Sequence, residues 1–176
     1  MCPGPSRIRD TLLRLFERRL FLARWTDEII DETVRTLQNK LNRTTEQTDR
    51  FLSELRSHFP DAWVEQGHRE LIPSMTNEEK DRHVLAAALK TPCEVIVTYN
   101  LKHFPEAALK PFGVEAKHPD EFLIDLYHLN GEMVVHELHE QGAALRAPRT
   151  INGVLVSLET CRCTQFAQLV RQRLGI

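Results

Sequence analysis

The sequence predicts an α/β fold: a three-layer α/β/α domain with a mainly parallel sheet, followed by an all-helical C-terminal segment. Three observations carry this. Residues 76–90, TNEEKDRHVLAAALK, read as an acidic capped start leading into an Ala-rich helix. The β-branched run Val95-Ile96-Val97-Thr98 follows within a few residues and ends in the polar turn Tyr99-Asn100-Leu101-Lys102-His103. Beyond residue 117 the apolar periodicity is helical to the end of the chain. Alternating strand and helix build a parallel sheet, with ligands expected at the C-terminal ends of its strands.

The elements follow in order. Residues 6–20 place Ile8, Leu12, Leu13, Phe16 and Leu20 at near-helical spacing. Residues 22–25 are a short strand candidate. Thr26 then caps a second helix with Asp27 and Glu28 in its first turn, where the helix dipole favours acids. Thr44-Thr45-Glu46-Gln47 opens a third helix that ends near Phe59-Pro60, and residues 61–65 read as an edge strand. Leu89 and Lys90 close the Ala-rich helix, because Pro92 cannot continue it. Strands are expected at 94–98 and 113–117. Helices follow at about 119–129, 132–145, 150–160 and 165–174, with Pro148 breaking the chain between the second and third. The expected domains are residues 1–129 and a helical appendage, 130–176, divided near Asn130-Gly131.

With 176 residues, 41% of them hydrophobic and 27% charged, the chain can bury a full core and reads as a soluble globular protein. No apolar run reaches the roughly 20 residues that cross a bilayer, and MCPGPSR lacks a signal core, so the expected location is cytoplasmic. Cys2, Cys93, Cys161 and Cys163 read as ordinary reduced thiols; the Cys161-Arg162-Cys163 spacing is wrong for a usual zinc knuckle. His136-Glu137-Leu138-His139 is not a zinc helix motif, which needs its histidines four apart. There is no Gly-rich phosphate loop.

The net charge of −2 is unevenly spread. Residues 1–24 carry six Arg against Asp10 and Glu17, and residues 146–176 five Arg against Glu159, so each end is +4 and the middle −10. Basic ends around an acidic centre suit either a polyanion held over metal-binding carboxylates or simply solvated helix faces.

D-R-H-V-L-A-A-A at 81–88, V-I-V-T-Y-N-L-K-H-F-P at 95–105 and H-P-D-E-F-L at 118–123 together closely resemble the PIN domain, the nuclease fold of VapC-type toxins, in a branch with an added helical C-terminus. The resemblance runs from about residue 4 to the end. It implies an endoribonuclease of toxin–antitoxin type that uses Mg²⁺ or Mn²⁺, with RNA as substrate, a cognate antitoxin as partner, and a homodimer as one state. Such metals take oxygen ligands, acidify the attacking water and neutralise charge on the phosphate. The family's acidic positions fall on Glu32 and Asp81, which the resemblance makes metal ligands, and its polar position after the strand falls on Asn100. Glu78, Glu79 and Thr98 are auxiliary. Glu32 alone reads equally as a surface helix acid, and Asp81 as a helix N-terminal charge.

Two departures stand out. The branch begins with a central strand carrying a metal-binding Asp, whereas here Cys2-Pro3-Gly4-Pro5 aligns with the turn after that strand. The family strand order 3-2-1-4-5 would then leave four strands as two pairs, so the chain is expected to be marginal by itself, with its true start upstream. The second departure is His103, where the family usually has Asp. Imidazole is a poor Mg²⁺ ligand but acceptable to Mn²⁺ or Zn²⁺, and could instead act as a base, touch phosphate or have no role. The functions expected are therefore the nuclease, a catalytically dead PIN-like module that binds RNA or a protein, or an incomplete reading frame of the nuclease.

Overall fold

The structure is a computed structural model, described for residues 4–64, 67–145 and 150–176. Cys2 and Pro3 of the expected N-terminal turn, Glu65 at the end of the expected edge strand, and the Pro148 break lie outside the described residues. The fold is α/β and mostly helical, with a small parallel two-stranded sheet. Backbone contacts divide it into two compact units: Met1–Leu22, Val97–Tyr99 and Lys117–Ile176 form one, Ala23–Ile96 and Asn100–Ala116 the other.

The first unit is a helical assembly of α1 (Gly4–Glu17), α6 (Pro119–Ala143), α7 (Ile151–Thr160) and α8 (Thr164–Leu174). Its core is built from large side chains with no exposure at all, among them Leu15, Leu123, Leu138, Leu158 and Phe166. Burying each such side chain contributes roughly 1.5–3 kcal/mol. The break expected near Asn130-Gly131 is a kink inside α6, where Asn130 leaves helical geometry (φ −156°, ψ 80°). Its Oδ1 accepts the Met133 N–H at 3.0 Å and so caps the second half of the helix. Gly142 is required by close approach: a Cβ there would sit 2.7 Å from the Thr150 carbonyl carbon.

Three buried polar side chains of this unit, Gln141, Asp120 and Glu137, are matched. Gln141 donates from Nε2 to the Arg7 carbonyl (3.2 Å) and accepts the Thr11 hydroxyl at Oε1 (2.8 Å). Asp120 accepts the Gln165 and Phe166 N–H groups at 3.2 and 2.9 Å. It thereby caps α8, whose own N-cap residue, Cys163, supplies no side-chain bond. Glu137, 4% exposed, pairs with Arg18 at 2.6 Å. Burial, with the charges of Asp120 and Cys161 adding to it, pushes the Cys163 thiol up to about 12, so it stays protonated.

The second unit holds α2 (Asp27–Leu41), α3 (Thr45–His58), α4 (Arg82–Lys90) and the short α5 (Glu106–Leu109), with 3₁₀ turns between them. Thr26 caps α2 by accepting the Ile29 N–H, and Thr44 with Gln47 forms a capping box on α3. Leu85, Ala86 and Ala88 of α4 pack with Met75, Ile96, Phe104, Leu109 and Val114. The alanines let α4 approach its neighbours closely.

The sheet pairs β1 (Val95–Val97) with β2 (Glu115–Lys117). Glu115 N–H donates to the Glu94 carbonyl at 2.8 Å, and Thr98 N–H to that of Lys117 at 2.9 Å. The pairing is parallel, as expected, but among the described residues the sheet has two strands rather than four. The segments expected at 22–25 and 61–65 meet only through one parallel bridge between Trp25 and Trp63. Pro60 starts a 3₁₀ turn through Ala62, which leaves only Trp63 and Val64 extended beside Trp25. The three-layer arrangement remains an expectation. Among the described residues no helix is long and apolar enough to cross a membrane.

Candidate functional site

The turn after β1 and the N-terminus of α4 meet in the second unit. Asp81 occupies the N-cap position of α4 but makes no capping bond. Its Oδ2 instead lies 2.8 Å from Nδ1 of His103, in the 3₁₀ turn Leu101–His103. Both side chains are mostly covered, at 19% and 27% exposure. The Glu78 N–H donates to the His103 carbonyl at 3.1 Å, a second link between the same two segments. The carboxylate holds one imidazole nitrogen and so fixes how the ring presents the other.

Glu32 lies one helical turn after Glu28, on the same face of α2. Its carboxylate is half exposed, and Nε2 of His83 lies 3.8 Å from its Oε1. Glu28, Glu32, Arg35, Ile72, Glu79, Lys80 and His83 line a cavity of about 310 Å³. Glu28 also meets His68 at 3.2 Å and Arg69 at 2.9 Å. Burial alone would raise the Glu28 carboxyl; the hydrogen bond with His68 and the charges of Arg69, His83 and His68 outweigh it and hold the group below its ordinary value. In this unit several buried polar atoms lack hydrogen-bond partners: Nδ1 of His68, Nε2 of His83, and both amide atoms of Asn77, a residue 3% exposed.

Of the residues singled out from the sequence, the structure joins Asp81 to His103, and places Glu32 and Glu79 on one cavity. Glu78 contributes its backbone. Thr98 and Asn100 flank Tyr99 just past β1, and Asn100 is exposed. His68, His83 and Glu28 were not anticipated. The i, i+4 spacing of Glu28 and Glu32 was visible, but nothing in the sequence said which loop would bring imidazoles to them.

The donor geometry bears on the divalent metal that the resemblance implies. Among the described residues, no group of three or more His, Cys, Asp or Glu side chains is placed to hold a metal ion. Asp81 is engaged by His103, and the acids of the α2 cavity share its lining with Arg35 and Lys80. The described residues do not fit a metal centre.

Residues 119–172 match the family model of the VapC50 C-terminal domain. The chain is 58% identical over 66 residues to a protein of Mycobacterium tuberculosis (strain ATCC 25618 / H37Rv) named "Putative ribonuclease VapC50". That match covers 38% of this chain and 39% of the relative, so the chain spans about two fifths of the length of the protein it matches. No solved structure matches. Residues 119–172 are therefore similar to the VapC50 C-terminal domain, and the chain is similar to VapC-type, PIN nuclease-like proteins.

Proposed function

We propose that this chain is a toxin–antitoxin-type protein of the VapC kind that acts on RNA, with Asp81, Glu32 and Asn100 as its principal site residues. The observation that carries this reading is the 58% identity to a relative named as a ribonuclease. The basic ends of the chain, each +4, support it by offering a polyanion counter-charge. The antitoxin partner belongs to the same reading.

Within that reading, the residues described here bind and orient RNA better than they cut it. Arginines neutralise phosphates, and the Asp81–His103 pair offers a held imidazole beside exposed Lys102. Mg²⁺ or Mn²⁺ would supply an activated water in a ribonuclease of this type, but the described acids do not gather to hold one. The reading is therefore an RNA-binding protein whose metal-dependent cleavage, as this chain, is weak or absent.

The test is binding and cleavage of a single-stranded RNA in the presence and absence of Mn²⁺. Salt-dependent binding with little cleavage above the metal-free blank is expected. Failure to bind RNA at any salt concentration would remove the proposal. Fast Mn²⁺-dependent cleavage that disappears in Asp81→Ala would restore the full nuclease and overturn the weak-cleavage part.

A further inference from the structure

We propose that the exposed ring of Tyr99, with Arg162 directly following the Cys161 that anchors its hydroxyl, is a stacking platform for one base of single-stranded RNA. This inference rests on the RNA-acting function proposed above. It begins with an inversion of the usual tyrosine. A surface tyrosine normally buries its ring and turns its hydroxyl to water. Here the hydroxyl is turned inward, donating to the carbonyl of buried Cys161 at 3.0 Å, while the residue stays 44% exposed.

The ring is held at a second point. His118 packs edge-to-face on it, with centroids 5.0 Å apart and planes at 83°. His118 is itself fixed, because its Nδ1 accepts the Asp120 N–H at 3.1 Å and its own N–H donates to Glu121 at 3.2 Å. A ring anchored at its hydroxyl and along its side has little freedom left to lose when a base lands on it. Burial of the hydroxyl edge pushes the Tyr99 pKa well up, with the neighbouring cysteines adding and Arg162 opposing, so the phenol stays neutral beside RNA.

Placement agrees. Tyr99 comes two residues after β1 and His118 directly after β2, at the C-terminal ends of two parallel strands, where open α/β sheets bind ligands. Arg162 lies in the turn between α7 and α8, in the left-handed region (φ 63°), exposed, and directly after Cys161, whose carbonyl holds the Tyr99 hydroxyl. A ring for the base and a cation for the adjoining phosphate are the two parts of a sequence-tolerant single-strand site.

The experiment uses the full chain and a short single-stranded RNA carrying 2-aminopurine, read by anisotropy for affinity and by 2-aminopurine quenching for stacking. Wild type and Tyr99→Phe should bind within about twofold of each other and quench the probe. Tyr99→Leu should bind about 5- to 100-fold more weakly, the range expected for losing one base–aromatic stack, and should lose the quenching. Arg162→Gln should flatten the salt dependence by about one phosphate contact. Tyr99→Trp should show its own fluorescence quenched by RNA, which keeps the test decisive if Tyr99→Leu does not fold. Wild-type-like binding and quenching in Tyr99→Leu, equal weakening in Tyr99→Phe, or unquenched fluorescence in RNA-bound Tyr99→Trp would each overturn the platform while leaving RNA binding standing. No RNA binding by wild type would overturn both.

Discussion

The two units differ in how far their buried polar side chains are matched. In the helical unit of α1 and α6–α8, Gln141, Asp120 and Glu137 each have their partners, and the surrounding core is large, apolar and fully covered. In the unit of α2–α5, the core leans on alanines, and His68, His83 and Asn77 carry buried polar atoms without hydrogen-bond partners. Buried polar groups are normally satisfied, so a concentration of unsatisfied ones calls for an explanation. The contrast assigns stability chiefly to the first set of residues, and the second set contributes less to it.

The largest expected effect is in the helical core. Phe166→Ala removes a fully buried ring and should cost about 3–5 kcal/mol, read by urea unfolding. Leu85→Ala, equally buried in the α4 cluster, should cost less, toward about 2 kcal/mol, because small alanine neighbours can close over the gap. Equal losses would erase the contrast.

Next is Gly142→Ala. Its Cβ would press on the Thr150–Ile151 backbone, which cannot swing aside as a side chain can, so about 1–3 kcal/mol of destabilisation is expected. A melting temperature unchanged by this substitution would show that the start of α7 yields more readily than its packing suggests.

The sharpest comparison sets two buried amides against each other. Gln141→Leu removes two hydrogen bonds to α1, while the Thr11 hydroxyl keeps its bond to the Arg7 carbonyl at 3.0 Å, and should cost about 1–3 kcal/mol. Asn77→Leu removes an amide that has no hydrogen-bond partner and keeps its branched shape, so its stability should change by less than about 1 kcal/mol or rise. Unchanged stability in Asn77→Leu beside a loss in Gln141→Leu would sharpen the contrast; parallel destabilisation of both variants would break it.

Much of the helical framework was legible in the sequence, because caps and periodicity are local. Thr26, Thr44 and Thr150 cap the helices they were expected to start, and Asn130 marks the kink in α6. The sheet was less legible. β-branched residues identified β1, but how far Trp25 and Trp63 pair is decided by the Pro60 turn and by long-range contacts. At the site, the resemblance pointed to Asp81 and His103 separately. Their hydrogen bond is a tertiary fact, as is the meeting of Glu28 with His68 across 40 residues.

The smallest effect concerns pH. The Glu28 carboxyl is held below its ordinary value, so its contribution is present at neutral pH and is lost as the pH falls through the lowered folded value. Glu28→Gln should therefore destabilise by at most about 1 kcal/mol near pH 7, since the carboxylate is a third exposed, and the difference from wild type should shrink below about pH 4. A difference that instead grows on acidification would reverse the sign of the Glu28–His68 interaction.

The most direct test of the account is a titration of the chain with Mn²⁺, followed by calorimetry or by the loss of the free-ion electron paramagnetic resonance signal. Because Asp81 is engaged by His103 and the acids of the α2 cavity share its lining with Arg35 and Lys80, only weak binding without defined stoichiometry is expected, unchanged in Asp81→Ala. One Mn²⁺ bound tightly per chain, and lost in Asp81→Ala, would contradict it.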